Sequence, residues 1–353
     1  MKLYLLELSL GTALALASFA SGPDEVRYAP EKGLKVTRTC ETSGEFELES
    51  ESVTVDGEER LDPAKKSRGS LSIEEKFVVS DELVAVGSGR PEKLARTFDE
   101  LHQQQTASET RFDGEVMEQT QKLTCDLEGK RVVFTWNADD ERFDVQAAAD
   151  QKLDAELLDG LDEDMDLRAF LPDKPVAKGD SWDVEPAAFH AVLWPGGRLP
   201  FHDADKDEPD EIEHELNAAF YASLDGDAKV TYAGQREEDG VKVFVLHVKA
   251  DLSRTGEYVP SSEYTSEHGG TPGAKMKGEF TTQAEGDLLW SVEHAHLISL
   301  TLEGKAAITE GVSYERGGQS VEQVRSSPGR RATRSRSSGP TSARPPLRGG
   351  APS

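Results

Sequence analysis

The sequence predicts a mainly β chain, a β-rich α+β protein in which curved antiparallel sheets or half-barrels wrap one or two helices. Three observations carry that expectation. Apolar residues recur with a period of two from residue 33 onward, turn-forming pairs such as Asp239-Gly240 fall between the runs, and helical spacing is confined to two short stretches. A period of two sends successive side chains to opposite faces, so each run has one apolar and one wet side.

The elements follow in order. Leu34, Val36 and Cys40 alternate with Lys35, Thr37 and Thr39, and Phe46 and Leu48 alternate with Glu45, Glu47, Glu49 and Glu51. Leu71, Ile73, Phe77 and Val79 repeat the pattern, with Asp81-Glu82 read as a turn into Leu83 and Val86. Residues 91–109 fit either helix or strand, and strand is the reading adopted. Leu123, Cys125 and Leu127, then Glu128-Gly129-Lys130, then Val132, Phe134 and Trp136 predict a hairpin. Leu153, Leu157 and Leu158 stand at helical spacing within 151–161, and a second candidate helix spans about 211–224 with Ile212, Leu216, Phe220 and Leu224. Val230 and Tyr232 pair across Asp239-Gly240 with Phe244, Leu246, Val248 and Ala250. From Leu288 through Trp290, Val292, His294, His296, Ile298 and Leu300 to Leu302, the even positions share one face of a single predicted strand. Glu303-Gly304-Lys305 then reads as a turn into Ala306, Ile308, Val312 and Tyr314.

Composition divides the chain into a signal peptide at 1–20, β-rich domains over 21–170 and 171–316, and a disordered tail over 317–353. Lys2, the apolar run from Leu8 to Phe19 and the small-x-small step Ser18-Phe19-Ala20 have the layout of a secretory leader, too short to span a bilayer. Nothing after residue 20 resembles a transmembrane helix, so an exported protein, periplasmic or extracellular, is expected. The net charge is −27, and it is uneven: the tail holds seven Arg and one acid, Glu322, which leaves +6 there and −33 elsewhere. An acidic body repels nucleic acid and anionic lipid, because phosphate binding needs Lys or Arg to neutralise it. No nucleic-acid partner is expected. Arg, Ser, Gly and Pro without any aromatic residue give the tail nothing to bury. Cys40 and Cys125 are a disulfide candidate in an oxidising compartment, where closing so long a loop contributes about 4 kcal/mol. Two separate buried thiols are the alternative.

The step Leu171-Pro172-Asp173-Lys174-Pro175-Val176-Ala177-Lys178-Gly179-Asp180-Ser181-Trp182 has two prolines that stop a helix and a Gly-Asp turn that delivers Trp182 into the next element. It is similar to a motif of uncharacterised exported bacterial β-rich proteins, in which Pro-Val-x-x-Gly-Asp-x-Trp opens the second β-rich half. The matching residues are Pro175, Val176, Gly179, Asp180 and Trp182. The resemblance implies export and a β-rich fold and brings no chemistry with it. A looser likeness, resting on strand pattern, is to lipoprotein-carrier half-barrels, whose open sheet closes over helices and shelters acyl chains.

His294 and His296, at i and i+2 on the predicted strand, would point the same way, and His247 on the neighbouring hairpin is the candidate third ligand for zinc or copper. A metal ion is the one cofactor the sequence offers; two hydrogen-bonded histidines on a sheet face are the competing reading. Asp203-x-Asp205-x-Asp207 and Asp162-x-Asp164-x-Asp166 begin like helix-loop-helix calcium loops, but Glu208 and Leu167 stand where the turn needs Gly. Both read as solvated acidic loops. His214-Glu215 lacks the second His of a zinc-protease helix, Ser88 lacks a nucleophile-elbow frame, and His268-Gly269-Gly270 has no matching nucleophile. No catalytic residue is assigned. The function expected is a non-enzymatic exported protein that binds an apolar ligand or supports an envelope component. The alternative is a secreted metal-dependent hydrolase or metalloprotein using the three histidines.

Overall fold

Alternating runs become long strands. The first half forms β1 (Lys35–Glu47), β2 (Ser50–Val55), β3 (Glu58–Glu59), β4 (Arg68–Val86), β5 (Pro91–Thr110), β6 (Val116–Cys125), β7 (Arg131–Asn137) and β8 (Arg142–Ala147). Two short strands follow, β9 (Ser181–Asp183) and β10 (Phe201–Asp203). The second half forms β11 (Asp225–Glu238), β12 (Val241–Tyr258), β13 (Lys275–Ser291), β14 (Leu297–Arg316) and β15 (Gln319–Ser338). The computed structural model describes residues 22–62, 67–110, 114–204, 223–260, 271 and 273–338. The leader at 1–20, the candidate helix up to residue 222, Asp205, Asp207, His214 and His268 lie outside these.

The strands join one 15-stranded antiparallel sheet of order β10-β6-β5-β4-β1-β15-β14-β13-β12-β11-β9, with β2, β3, β7 and β8 as side branches. The path is open: its two ends do not meet, so the sheet is not a closed barrel. The mainly β expectation holds. Among the described residues the α-helical content is α1, His190–Leu193, a single turn. No helix there is long and apolar enough to cross a membrane.

One segment, the described residues 148–204 that follow β8, closes the inner face. It supplies both edge strands: β9 pairs with β11 at one end of the sheet and β10 pairs with β6 at the other. Short 3-10 turns at Ala155–Leu158 and Arg168–Phe170 precede β9, and a third at Pro186–Phe189 followed by α1 lies between β9 and β10. This strap therefore crosses the inner face and caps each open edge with a three-residue strand, a device that limits edge-to-edge association. Beneath it lie two apolar cores. One packs Phe170, Val176, Phe189 and Val192 against Tyr232, Leu246, Trp290 and Leu300. The other packs Met165, with Leu157, Leu158 and Phe201 at its margin, against Phe77, Phe98, Leu127 and Phe134.

The proline-rich motif works as an attachment of the strap. Val176 exchanges backbone hydrogen bonds with Asp24, at 2.8 and 2.9 Å. Gly179, at φ +98°, donates to the Tyr232 carbonyl, and Trp182 donates from Nε1 to the Phe170 carbonyl at 3.1 Å.

The strongest tie is ionic and buried. Asp81 lies inside β4, not in a turn, and its carboxylate receives Arg38 Nη1 of β1 at 2.6 Å and Arg96 Nε and Nη2 of β5 at 2.8 and 3.0 Å. Arg38 also grips Asp166 of the strap, and Arg96 donates to the carbonyls of Asp162 and Glu163, each at 2.8 Å. Arg168 completes the cluster on Glu163 and Asp164. The run Asp162-x-Asp164-x-Asp166 is thus a ladder of turns, with Asp162 Oδ1 accepting from Asp164 N and Asp164 Oδ1 from Asp166 N. It is not the solvated loop expected, because Arg38 takes the Asp166 carboxylate, Arg168 those of Glu163 and Asp164, and Arg96 the Asp162 and Glu163 carbonyls.

Four further expectations are corrected. Leu123–Leu127 and Val132–Trp136 do not pair as a hairpin; β6 and β7 both dock along β5, which is long enough to hold them end to end. The run Leu288–Leu302 is two strands, with the turn falling at Val292–His296 and Ala295 at φ +49°. Gly304 is not in a turn but inside β14, where a Cβ would stand 1.9 Å from the Gln283 carbonyl oxygen. The basic tail is not disordered over 319–338: it is β15, inserted between β1 and β14 in the middle of the sheet. Its pairing with β1 also joins the strands of the two predicted domains into one sheet.

The tail orders because its neighbours are acidic. Glu41 stands opposite Arg334, Glu45 opposite Arg330 and Glu310 opposite Arg325. Arg325 reaches Glu51 at 2.9 Å and Arg334 reaches Glu303 at 3.3 Å. Opposite charges across strands each contribute roughly 0.2–1 kcal/mol, so they select the register while the backbone ladder holds the strand. Truncation after Arg316 would strip hydrogen-bond partners from both β1 and β14. The shortened chain is expected to lose cooperative thermal unfolding and to aggregate; a soluble, cooperatively unfolding truncate would contradict this placement.

Candidate functional site

The three histidines do not meet. His294 and His296 sit in the β13–β14 turn, ring centroids 6.1 Å apart, with the His294 backbone N–H on Ser291 Oγ at 2.9 Å. His296 is buried with Nδ1 2.7 Å from the Leu297 carbonyl; burial lowers its pKa, against the pull of Asp166. His247 lies on β12 between the buried Leu246 and Val248, so it faces the opposite side, where Nδ1 is 3.2 Å from Asp287 Oδ1. Its cross-strand partner is Asp287, four positions from Ser291 at the β13 end, or about 13 Å along the strand. Among the described residues no group of three or more His, Cys, Asp or Glu could hold a metal ion.

The two thiols are separate and buried. Cys40 on β1 contacts Ser335 Oγ at 3.4 Å, and Cys125 ends β6. With β4 and β5 between them, three strand spacings or roughly 14 Å of sheet intervene. A disulfide needs Cα atoms within about 7 Å.

What the fold does assemble is a cavity of about 290 Å³ on the inner face, under the part of the strap from Leu193 to Phe201. Its floor is read from the register. Arg254 of β12 stands opposite Phe280 of β13, which stands opposite Ile308 of β14. Next to them, Gly44, Arg331, Gly304, Ala284, Ala250 and Ala228 form one registered row across six strands. Five of those six side chains are absent or a single methyl; Gly44 and Arg331 of this row line the cavity, and the row as a whole lines the wider depression beside it. Phe46, Ile73 and Phe77 continue the apolar wall, and Trp194, Leu199 and Phe201 form the roof.

The strap's clamp positions that roof. Asp162 N donates to the Gly196 carbonyl at 2.8 Å and Arg198 N donates to the Gly160 carbonyl at 2.9 Å, so the ladder of turns gripped by Arg38 and Arg96 is itself paired to the roof. At Gly197 a Cβ would fall 2.2 Å from the Gly160 carbonyl oxygen, which only glycine avoids.

The cavity is amphipathic. The Arg254 guanidinium lies 4.7 Å from the Trp194 ring and 4.6 Å from the Phe280 ring, and Arg331 lies 5.6 Å from Phe280. Arg331 reaches Glu75 at 3.9 Å, the outer limit of an ion pair. Burial, with the neighbouring Arg331 charge, pushes Arg254 down to about 9, and burial lowers Arg331 as well. Burial raises Glu75 in spite of both arginines. A wider depression of about 1420 Å³ follows the same bend, lined by Lys229, Lys249, Asp251, Glu285, Glu303 and Arg330; its mixed charge and openness select no ligand chemistry.

Sequence reasoning missed Arg254, Arg331 and Glu75. The signal was a charged residue falling on the apolar parity of a strand, as Glu75 does between Ile73 and Phe77.

No protein-family model and no curated protein matches the chain. Among solved structures, the secretin InvG of the Salmonella SPI-1 type III secretion injectisome is 8% identical over 91% of this chain and 67% of its own, with a TM-score of 0.14. The basal-body structure of InvG, PrgH and PrgK gives the same score over 48% of that chain, and the InvG secretin-domain β-barrel gives 0.11 over 65%. Scores of this size do not denote a shared fold.

The clamp has a pH signature. Burial pushes the Glu163 carboxyl up to about 8 from an ordinary 4.5, with Arg168 offsetting only part of the effect. The folded chain therefore holds a proton that the unfolded chain releases between those values, and this contribution to stability falls as pH rises through that window. Glu163→Gln removes the dependence. The thermal midpoint of the wild type, measured relative to the variant, is expected to decline from about pH 5 to about pH 8. A difference that is flat or rises with pH contradicts a protonated Glu163.

Proposed function

We propose that this is a non-catalytic exported protein whose concave sheet shelters an apolar ligand outside the cytoplasm. The observation that carries the reading is the strap-roofed inner cavity, walled by Phe46, Phe280, Ile308, Trp194 and Leu199. Its volume is at the lower end of the roughly 300–1,000 Å³ of small-molecule sites, which are mostly apolar with a few placed polar groups. The leader-like first twenty residues support the compartment. The separated histidines and the missing nucleophile frames give a hydrolytic reading no assembled constellation to work with.

The test uses a neutral apolar fluorophore, N-phenyl-1-naphthylamine, with the full mature chain recovered from the exported fraction of producing cells. Saturable one-to-one binding with a blue-shifted emission is expected, and Ile308→Trp, which fills the floor, should abolish it. Absence of saturable binding, together with a solvent extract of the purified protein that contains no small molecule, overturns ligand carriage. A chain that keeps residues 1–20 and stays in the cytosol overturns export.

A further inference from the structure

We infer that a proton on Glu163 latches the cavity: with that carboxyl neutral the strap holds the roof closed over a ligand, and its ionisation frees the roof and releases the ligand. This rests on the apolar-ligand reading and adds to it the regulation of the same cavity.

At the clamp, carboxyls outnumber cations. Among the described residues Arg38, Arg96 and Arg168 face the carboxyls of Asp81, Glu163, Asp164 and Asp166. Arg96 is bound to Asp81, and Arg38 to Asp81 and Asp166. Arg168 is shared between Glu163 and Asp164. Asp164 keeps 21% of its side chain in water, whereas Glu163 keeps 3%. An interior charge without a cation of its own is costly, so the surplus carboxyl keeps its proton. Burial places that proton on Glu163, which is pushed up to about 8. Burial raises Asp164 as well, while Asp166, in spite of burial, is held down by Arg38. The remaining neighbours add no charge in neutral solution. Tyr28, its ring 5.2 Å from the Arg168 guanidinium, is raised by burial, and His296 is lowered by burial from an ordinary 6.5.

The latch lies one residue from the roof. Asp162, next to Glu163 in sequence, donates its backbone N–H to the Gly196 carbonyl, and the Gly160 carbonyl accepts from Arg198 N. Arg96 holds the Asp162 and Glu163 carbonyls together. A strap that leaves Arg96 and Arg168 therefore draws residues 196–198 with it, and Gly197 and Arg198 line the cavity. The strands beneath are held by their own ladders, so the roof can part from the floor while the sheet stays folded. In the open strap water reaches Glu163, which then ionises near its ordinary 4.5. Closure, which needs the proton, is strongest in acid. It weakens by up to about tenfold per pH unit between about 4.5 and about 8 and levels off above.

The experiment titrates the full mature chain with N-phenyl-1-naphthylamine, which stays neutral throughout, at intervals from about pH 5 to about pH 9. Far-UV circular dichroism is recorded on the same samples. Wild type is expected to bind at least about ten times more weakly at the alkaline end, with the fall complete near pH 8 and the β spectrum unchanged. Glu163→Gln, which is neutral at every pH, is expected to keep the acid-side affinity across the whole range. Equal wild-type affinity at both ends overturns the latch and leaves the apolar-ligand reading standing. A fall that persists in Glu163→Gln belongs to another group, such as Glu75 in the cavity wall, and overturns the latch. Loss of the β spectrum together with binding is unfolding of the sheet, and it overturns the latch too. Absence of binding at every pH overturns the apolar-ligand reading and this one with it. Should Glu163→Gln fail to fold, the wild-type curve decides: levelling near pH 8 supports the latch, and a fall that continues to about pH 9 contradicts it.

Discussion

The buried carboxylate of Asp81 is the point from which the rest of the structure is held. It joins three neighbouring strands to one another through Arg38 and Arg96, and those two arginines in turn hold the strap by Asp166 and by the carbonyls of Asp162 and Glu163. A buried pair of this kind adds little net stability over apolar packing, since each ion gives up its hydration. What it adds is discrimination. A strap of mixed sequence, whose described residues hold no helix longer than one turn, could lie on an apolar sheet in many registers. Two fixed forks that accept only particular oxygens leave it one. Removing one partner costs roughly 3–5 kcal/mol, because the stranded charge has no water to turn to.

From that clamp the geometry runs outward to the cavity. The clamped ladder pairs with Gly196–Arg198, and this pairing sets the height of the roof above the sheet. The floor is set independently by Phe46, Phe280 and Ile308 on the sheet. Roof and floor are therefore fixed by different parts of the chain, one ionic and one steric, and the volume between them survives because neither can collapse onto the other. The basic strand β15 belongs to this construction, since it brings Arg331 to the cavity and Arg325, Arg330 and Arg334 to acidic residues of β1, β2 and β14.

Much of the sheet was legible in the sequence. The Asp239-Gly240 hairpin between β11 and β12 formed as read, and the ambiguous 91–109 run became β5. The errors share a cause. Asp81 and Gly304 looked like turn residues because charge and glycine usually mark turns, and each sits in a strand for a tertiary reason: two arginine partners for one, a close backbone approach for the other. The alternation from Leu288 to Leu302 continued through a real turn, so periodicity alone hid the break that holds His294 and His296. The tail was misread because ordering came from its neighbours' acids and not from its own apolar content. The cavity was the least legible feature, since its two arginines are 77 positions apart in sequence and meet through strand register.

Hydrogen exchange across the strap tests the central claim most directly. With Asp81→Ala, the account has the segments 160–170 and 193–201 losing amide protection together while β11 and β12, which do not touch the clamp, keep theirs. Unchanged protection at 193–201 in a variant that has lost it at 160–170 would show that the roof stands without the clamp.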